Sequence, residues 1–223
     1  MVQPAKLNLA SGLLIDQPAK RLGAFCAAEW PYYDGLADDD PNHITVLDML
    51  APVSVNAYAF RGGAGNLRVM HQSLAVALDP LLPAIPVDAS LVTFDPNLEQ
   101  FEALIRAAVA VPYVLTPIAT KVLFRKRREF VPMLDNVVIE YYLKALGRTD
   151  LRAASQDKPR AAGVAKVCTA AFRADLEAAH DELRELAAAT AALGSPIGPV
   201  RALEVLIWSE VEERGYYRGG DKA

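Results

Sequence analysis

Cysteine is nearly missing from this chain of 223 residues: only Cys26 and Cys168 occur, far apart. That excludes a disulfide framework and an iron–sulfur cluster held by four thiolates, and leaves two small buried hydrophobes. A basic surplus is missing too, with Lys+Arg 23 against Asp+Glu 27. Proteins whose main work is gripping phosphates carry such a surplus, so the balance argues against tight, non-specific nucleic-acid binding. It leaves room for a local basic patch. No apolar run approaches membrane-spanning length, and the short stretch Leu13–Ile15 meets Asp16 at once. No signal peptide or membrane partner is read, and a cytoplasmic location is expected. There is no Gly-x-Ser-x-Gly elbow and no Cys–His arrangement, so acyl transfer is not signalled. No cofactor or metal is expected.

Sustained strand alternation and internal repeats are also absent; Val53–Ala59 is the most strand-like piece. What remains is helical, and 52% hydrophobic residues suffice for a sizeable core. The expectation is an all-α single domain over residues 1–223 with seven to nine helices. Its sub-layers would be 1–147 and 160–214, joined by the polar linker 148–160. Asp16 and Pro18 start a helix running to Ala28. A short helix over 44–51 is stopped by Pro52. Asn66 caps a helix to Leu78, and Asp95 with Pro96 opens one carrying Leu98, Phe101, Leu104, Ile105 and Ala108.

From Val164 the apolar residues Val167, Phe172, Leu176, Ala179, Leu183, Leu186 and Leu193 recur in steps close to three and four, predicting one long amphipathic helix. The stripe suits packing within the chain, or a homodimer seam through residues 164–193. Gly194 ends that helix, and Pro199 opens a last one bearing Leu203, Leu206, Ile207 and Trp208.

Three smaller constellations have default readings. Phe60-Arg61-Gly62-Gly63-Ala64-Gly65-Asn66 lacks the Lys-Ser/Thr of a P-loop and reads as a flexible turn, with Arg61 and Arg68 beside it for an anion. Asp34, Asp38, Asp39 and Asp40 form an acidic loop without EF-hand spacing, read as solvated. His43, His71 and His180 stand far apart, with nothing to bring them together.

The richest segment is 111–147, VPYVLTPIATKVLFRKRREFVPMLDNVVIEYYLKALG. Thr116 and Pro117 open a helix, a basic loop ends at Pro132, and Asp135 starts a second helix. Helix, loop and lone aspartate in this order resemble the core of the helix-hairpin-helix DNA glycosylases. The resemblance implies that Asp135 is catalytic: cleaving an N-glycosidic bond builds positive charge on the sugar, which a carboxylate stabilises. The base must first leave the stack for a pocket. An Asp at that junction also suits a structural N-cap. Lys121, Arg125, Lys126, Arg127 and Arg128 are the candidates for holding duplex DNA through its phosphates, the alternative being a solvated loop at a helix C-terminus.

The segment departs from the family where that family touches DNA. Tyr113 and Leu115 occupy the hairpin positions at which glycines admit a phosphate. Pro117 occupies the position of the imine-forming lysine of bifunctional members, which implies a monofunctional enzyme; Lys121 lies one turn later. Two further readings stand beside the glycosylase: a non-catalytic binding module that has lost the hairpin, and a hydrolase of small, nucleoside-like molecules.

Overall fold

A computed structural model describes residues 4–28, 31–36, 40–55, 64–94 and 97–215. The all-α class holds, with one small addition. Strand β1 (Lys6–Asn8) pairs antiparallel with β2 (Leu14–Asp16), in the register Lys6↔Asp16, Leu7↔Ile15, Asn8↔Leu14. Three residues per strand are too few for alternation to show in sequence. Leu7 and Ile15 nonetheless share the buried face, as a period of two requires. The turn between the strands uses Gly12 at φ 86, a conformation that glycine adopts without steric cost.

The helices are α1 (Pro18–Ala27), α2 (Pro31–Gly35), α3 (Val46–Leu50), α4 (Ala64–Leu78), α5 (Asn97–Ala110), α6 (Thr116–Lys126), α7 (Asn136–Ala145), α8 (Lys158–Ala178), α9 (His180–Ala191) and α10 (Pro199–Glu213). They outnumber the expected set because the chain breaks into shorter pieces than periodicity suggests. Pro52 does not stop α3 outright; residues Ala51–Val55 continue as a 3-10 turn. The strand-like expectation fails over residues 53–55 for that reason, and 56–59 lie outside the described residues. So do Asp95, Pro96, Asp38, Asp39, Phe60 and Arg61. Asn66 lies inside α4, which begins at Ala64, and so does not cap it.

The long helix is corrected. It divides into α8 and α9 at Ala179, whose φ of −119 and ψ of 23 leave the helical region. Asp181 and Glu182 fall in the first turn of α9, where acidic side chains complement the dipole and favour a fresh start. The apolar stripe survives the break. Val164, Phe172, Leu176, Ala179, Leu183 and Leu186 are all buried in this chain's own core. Within the chain, α5 and α10 cover most of the stripe that a homodimer seam along 164–193 would use, while Leu193 is exposed.

The linker 148–160 is likewise ordered, as two 3-10 turns (Thr149–Leu151 and Ala153–Gln156) packed on α7 and α8. Helix α10 runs through the centre against α1, α7 and α9. Its Val200, Ala202, Leu203, Val205, Leu206, Ile207 and Val211 are buried almost all round, the pattern of a helix without a solvent face. No helix among the described residues is long and apolar enough to cross a membrane.

Candidate functional site

Helix α6 begins one residue earlier than expected, with Leu115 as N-cap and Thr116 and Pro117 in its first turn. Between α5 and α6 the chain turns at Tyr113, which takes φ 65 and is 73% exposed. A non-glycine residue there is uncommon, and Tyr113 stands where the resemblance puts a glycine. The Thr120 hydroxyl donates to Thr116 O at 3.0 Å and accepts from Leu134 N at 3.1 Å. That bridge pins the residue before Asp135 to α6. Asp135 is the N-cap of α7: its Oδ1 accepts from Val138 N at 2.9 Å. The side chain is half-buried. Its second oxygen has no hydrogen-bond partner among the described residues.

Asp135 faces a group of buried charges. Lys121, at the middle of α6, is 8% exposed. Burial lowers its pKa, while Asp135 and Glu204 partly restore it and Arg201 works against it. Glu204 on α10 is pushed up to about 7, first by burial, then by Asp135 and Asp34, against the pull of Arg201 and Lys121. Arg201 lies one turn before it and donates from Nη1 to Glu204 Oε2. Its Nε faces both oxygens of Asp34 at 3.1 Å each. The guanidinium also lies 5.0 Å from the centre of the Phe25 ring, a cation–π placement. From α2, the Tyr33 hydroxyl donates to Lys121 O. Asp34, read from sequence as part of a solvated loop, is instead buried beneath these cations.

The start of α10 is fixed by Glu129. Its carboxylate accepts from Val200 N–H, and burial pushes the acid up despite that bond. A Cβ on Gly198 would sit 1.6 Å from Glu129 Oε1. Glycine at the N-cap is thus what lets a carboxylate from the α6–α7 loop sit on the helix N-terminus. This contact sets the register at which Arg201 and Glu204 point toward α6.

The basic run lies elsewhere than a surface groove. Arg125 Nε and Lys126 Nζ grip the two oxygens of Asp48, at 2.8 and 2.6 Å. Asp48 also accepts from Thr45 N and Oγ1, at 2.7 and 2.8 Å, within a capping box on α3. Burial alone would raise that acid, but the bonds from Lys126, Thr45 and Arg125 hold it below its ordinary value. Arg127 is fully buried and donates to Ile85 O, Pro41 O, Lys126 O, Leu82 O and Asn42 Oδ1. Arg128 donates to Asp34 O and Leu36 O at 2.7 and 3.0 Å. The expectation of an exposed patch made of Arg125, Lys126 and Arg127 is corrected: a guanidinium has five donors, and here the folded chain supplies their acceptors.

Arg201 and Glu204 were not among the residues singled out from sequence, and Asp34 was read there only as part of a solvated acidic loop, not as a member of this group. One signal existed for two of them, since Arg201 and Glu204 are opposite charges one turn apart inside the apolar run Val200–Ile207. Asp34 had none, being 167 positions from Arg201. Another buried carboxylate, Asp175, takes bonds from Ser11 N (2.6 Å), Ser11 Oγ (2.7 Å) and Tyr142 OH (2.9 Å). That arrangement ties the β1–β2 turn to α8. His43 pairs with Asp79 at 3.0 Å, and His71 meets Ile44 O at 2.8 Å. Among the described residues, no group of three or more His, Cys, Asp or Glu side chains is placed to hold a metal ion.

Residues 19–211 match a family of unknown function (DUF6308), and the chain belongs to it. No curated protein and no solved structure matches.

Proposed function

From membership in a family without an assigned activity, only the site can speak for function, and we propose that this chain is a monofunctional N-glycoside hydrolase acting at Asp135 on a nucleoside-sized substrate. One observation carries the proposal: Asp135 and the buried Glu204 are carboxylates gathered about the same lysine, and Glu204 is pushed up to about 7. An acid raised toward neutrality by burial beside a second carboxylate is a common source of a catalytic proton donor. Asp135 stands at a helix N-terminus, and a carboxylate is the group that the sugar's developing positive charge needs. Glu204, near neutrality, holds a proton within the same group.

The order α5, turn, α6, loop and Asp-capped α7 supports a scaffold related to the helix-hairpin-helix glycosylases, as does the left-handed backbone at Tyr113. Two features favour a small substrate over duplex DNA. Arg125, Lys126 and Arg127 are held inside the protein, and Tyr113 projects from the turn where a phosphate would have to approach bare backbone. The second reading, a binding module without chemistry, is favoured by the cap itself, since Asp135 Oδ1 already serves Val138 N–H.

The test is base release from a panel of nucleosides, nucleoside monophosphates and duplexes with damaged bases, using wild type and Asp135→Asn. Asparagine keeps the cap and removes the charge. The proposal expects release from a monomeric substrate and a loss of about a hundredfold or more in Asp135→Asn. Equal rates in the two proteins would remove Asp135 from the chemistry. Release from duplex alone would restore the DNA glycosylase, and no release from any substrate would leave the binding module.

A further inference from the structure

Helix α2 sits in a seat lined by arginines. The Asp34 carboxylate meets Arg201 Nε through both oxygens at 3.1 Å. The main-chain oxygens of Asp34 and Leu36 accept from Arg128 at 2.7 and 3.0 Å, and Arg125 reaches Leu36 O at 3.4 Å. The Tyr33 ring stacks on Phe124 with centroids 6.0 Å apart. Tyr33, Ala51, Phe124 and Met133, with Leu36 against them, form a small apolar cluster separate from the main core. What α2 covers is the face of α6 carrying Lys121, Phe124 and Arg125, together with Arg128 two residues past the end of that helix. The segment is therefore anchored largely by polar ties, and the one from the Asp34 carboxylate ends on Arg201, the cation paired with Glu204.

The chemistry of the seat is that of an anion site already filled. A carboxylate and the carbonyl end of a helical turn carry the negative charge. Guanidinium groups, aided by a buried ammonium, supply the positive charge, and arginine uses the same donors for carboxylate and for phosphate. We propose that α2 is an internal stand-in for a phosphate monoester: Arg201 and Arg128 take the phosphate of a nucleotide-sized ligand when Asp34 is displaced. This rests on the reading of the Asp135 site and narrows its substrate from nucleosides to their phosphorylated forms. Displacement leaves Asp34 hydrated and exchanges one anion for another at the guanidinium groups, so no charge is left buried and uncompensated. Asp34 thereby holds the site shut against weak anions and sets a threshold for the ligand.

Calorimetric titration of the full chain with inorganic phosphate and with ribose 5-phosphate tests the proposal, on wild type, Asp34→Asn and Asp34→Asn/Arg201→Gln. With its internal competitor removed, Asp34→Asn binds about tenfold more tightly than wild type, because occupancy by a competitor lowers apparent affinity in proportion. Arg201→Gln in that background abolishes the gain. Equal affinity in wild type and Asp34→Asn, or a gain that survives Arg201→Gln, overturns the idea. Should Asp34→Asn not fold, amide exchange in wild type decides. Phosphate, against chloride at equal ionic strength, must accelerate exchange over residues 33–36 and not over α10; an unchanged rate sinks the proposal. A short duplex that binds in preference to ribose 5-phosphate, with affinity falling steeply in salt, overturns the nucleotide-sized ligand. None of these measurements needs turnover. A chain that binds phosphate but releases no base would refute hydrolysis at Asp135 and leave the seat standing.

Discussion

Two buried charge clusters draw on α6, and they differ in how well their charges agree. Around Asp48 the groups support one another. Arg125, Lys126 and Thr45 all donate to one carboxylate, whose acid is held below its ordinary value despite complete burial. Around Glu204 they conflict: three carboxylates, Asp34, Asp135 and Glu204, share Arg201 and Lys121. There the acid is pushed up and the lysine pushed down. Asp48 and Glu204 are both buried, so burial alone does not separate the two clusters. The first has the marks of a structural joint, in which every charge is matched. The second stores mutual opposition of the kind that active sites use to tune acids and bases.

The largest effect that would test the contrast is expected at Arg127. Arg127→Met leaves the carbonyls of Ile85 and Pro41 without their donor and Leu82 O with Ile85 N–H alone. At roughly 1–3 kcal/mol for each unsatisfied buried group, a loss of about 3 kcal/mol or more is expected. Urea unfolding measures it, and a loss below about 1 kcal/mol would show that the run is not structural.

Next in size is the pH response, which should have opposite signs in the two clusters. Glu204 in the fold lies above its ordinary 4.5, at about 7, so its neutral form stabilises the protein. That contribution is complete below about pH 4.5 and is lost as pH rises through about 7. Asp48 is held below its ordinary 3.8, so its contribution is present above that pH and fails as pH falls beneath it. Glu204→Gln cannot ionise. Its stability relative to wild type should therefore rise across neutrality, by on the order of 1–3 kcal/mol. A difference that stays flat from about pH 4 to 8 would contradict the assignment.

Smaller still is Gly198→Ala, whose methyl group must push Glu129 off the start of α10. The side chain can swing away, so about 1–2 kcal/mol is expected in thermal or urea unfolding. Smallest is the cap. Asp135→Ala should lose about 1 kcal/mol and Asp135→Asn only a few tenths. A large loss in Asp135→Asn would mean that its charge is structural, which moves it into the company of Asp48.

How much of this was legible in the sequence depends on the range of the interaction. Asp135 as a loop-to-helix junction, Pro199 as a helix opener and the buried stripe from Val164 to Leu186 are local signals, and all three hold in the structure. The break at Ala179 was invisible because the stripe continues across it without a change of phase. The basic run misled because a run of like charges says nothing about acceptors; those of Arg127 come from Pro41, Asn42, Leu82 and Ile85, about forty to ninety positions upstream. The site itself was half legible. Asp135 and Lys121 lie in one segment, whereas Asp34 and Glu204 reach them only through packing of α2 and α10.

The cluster around Glu204 is electrostatically poised, while the Asp48 cluster is at rest. Side-chain carboxyl carbon shifts of the glutamates, followed by NMR through a pH titration and assigned by comparison with Glu204→Gln, measure it directly. A midpoint for Glu204 close to 7 is the result the structure predicts. A midpoint at or below its ordinary 4.5 would contradict it.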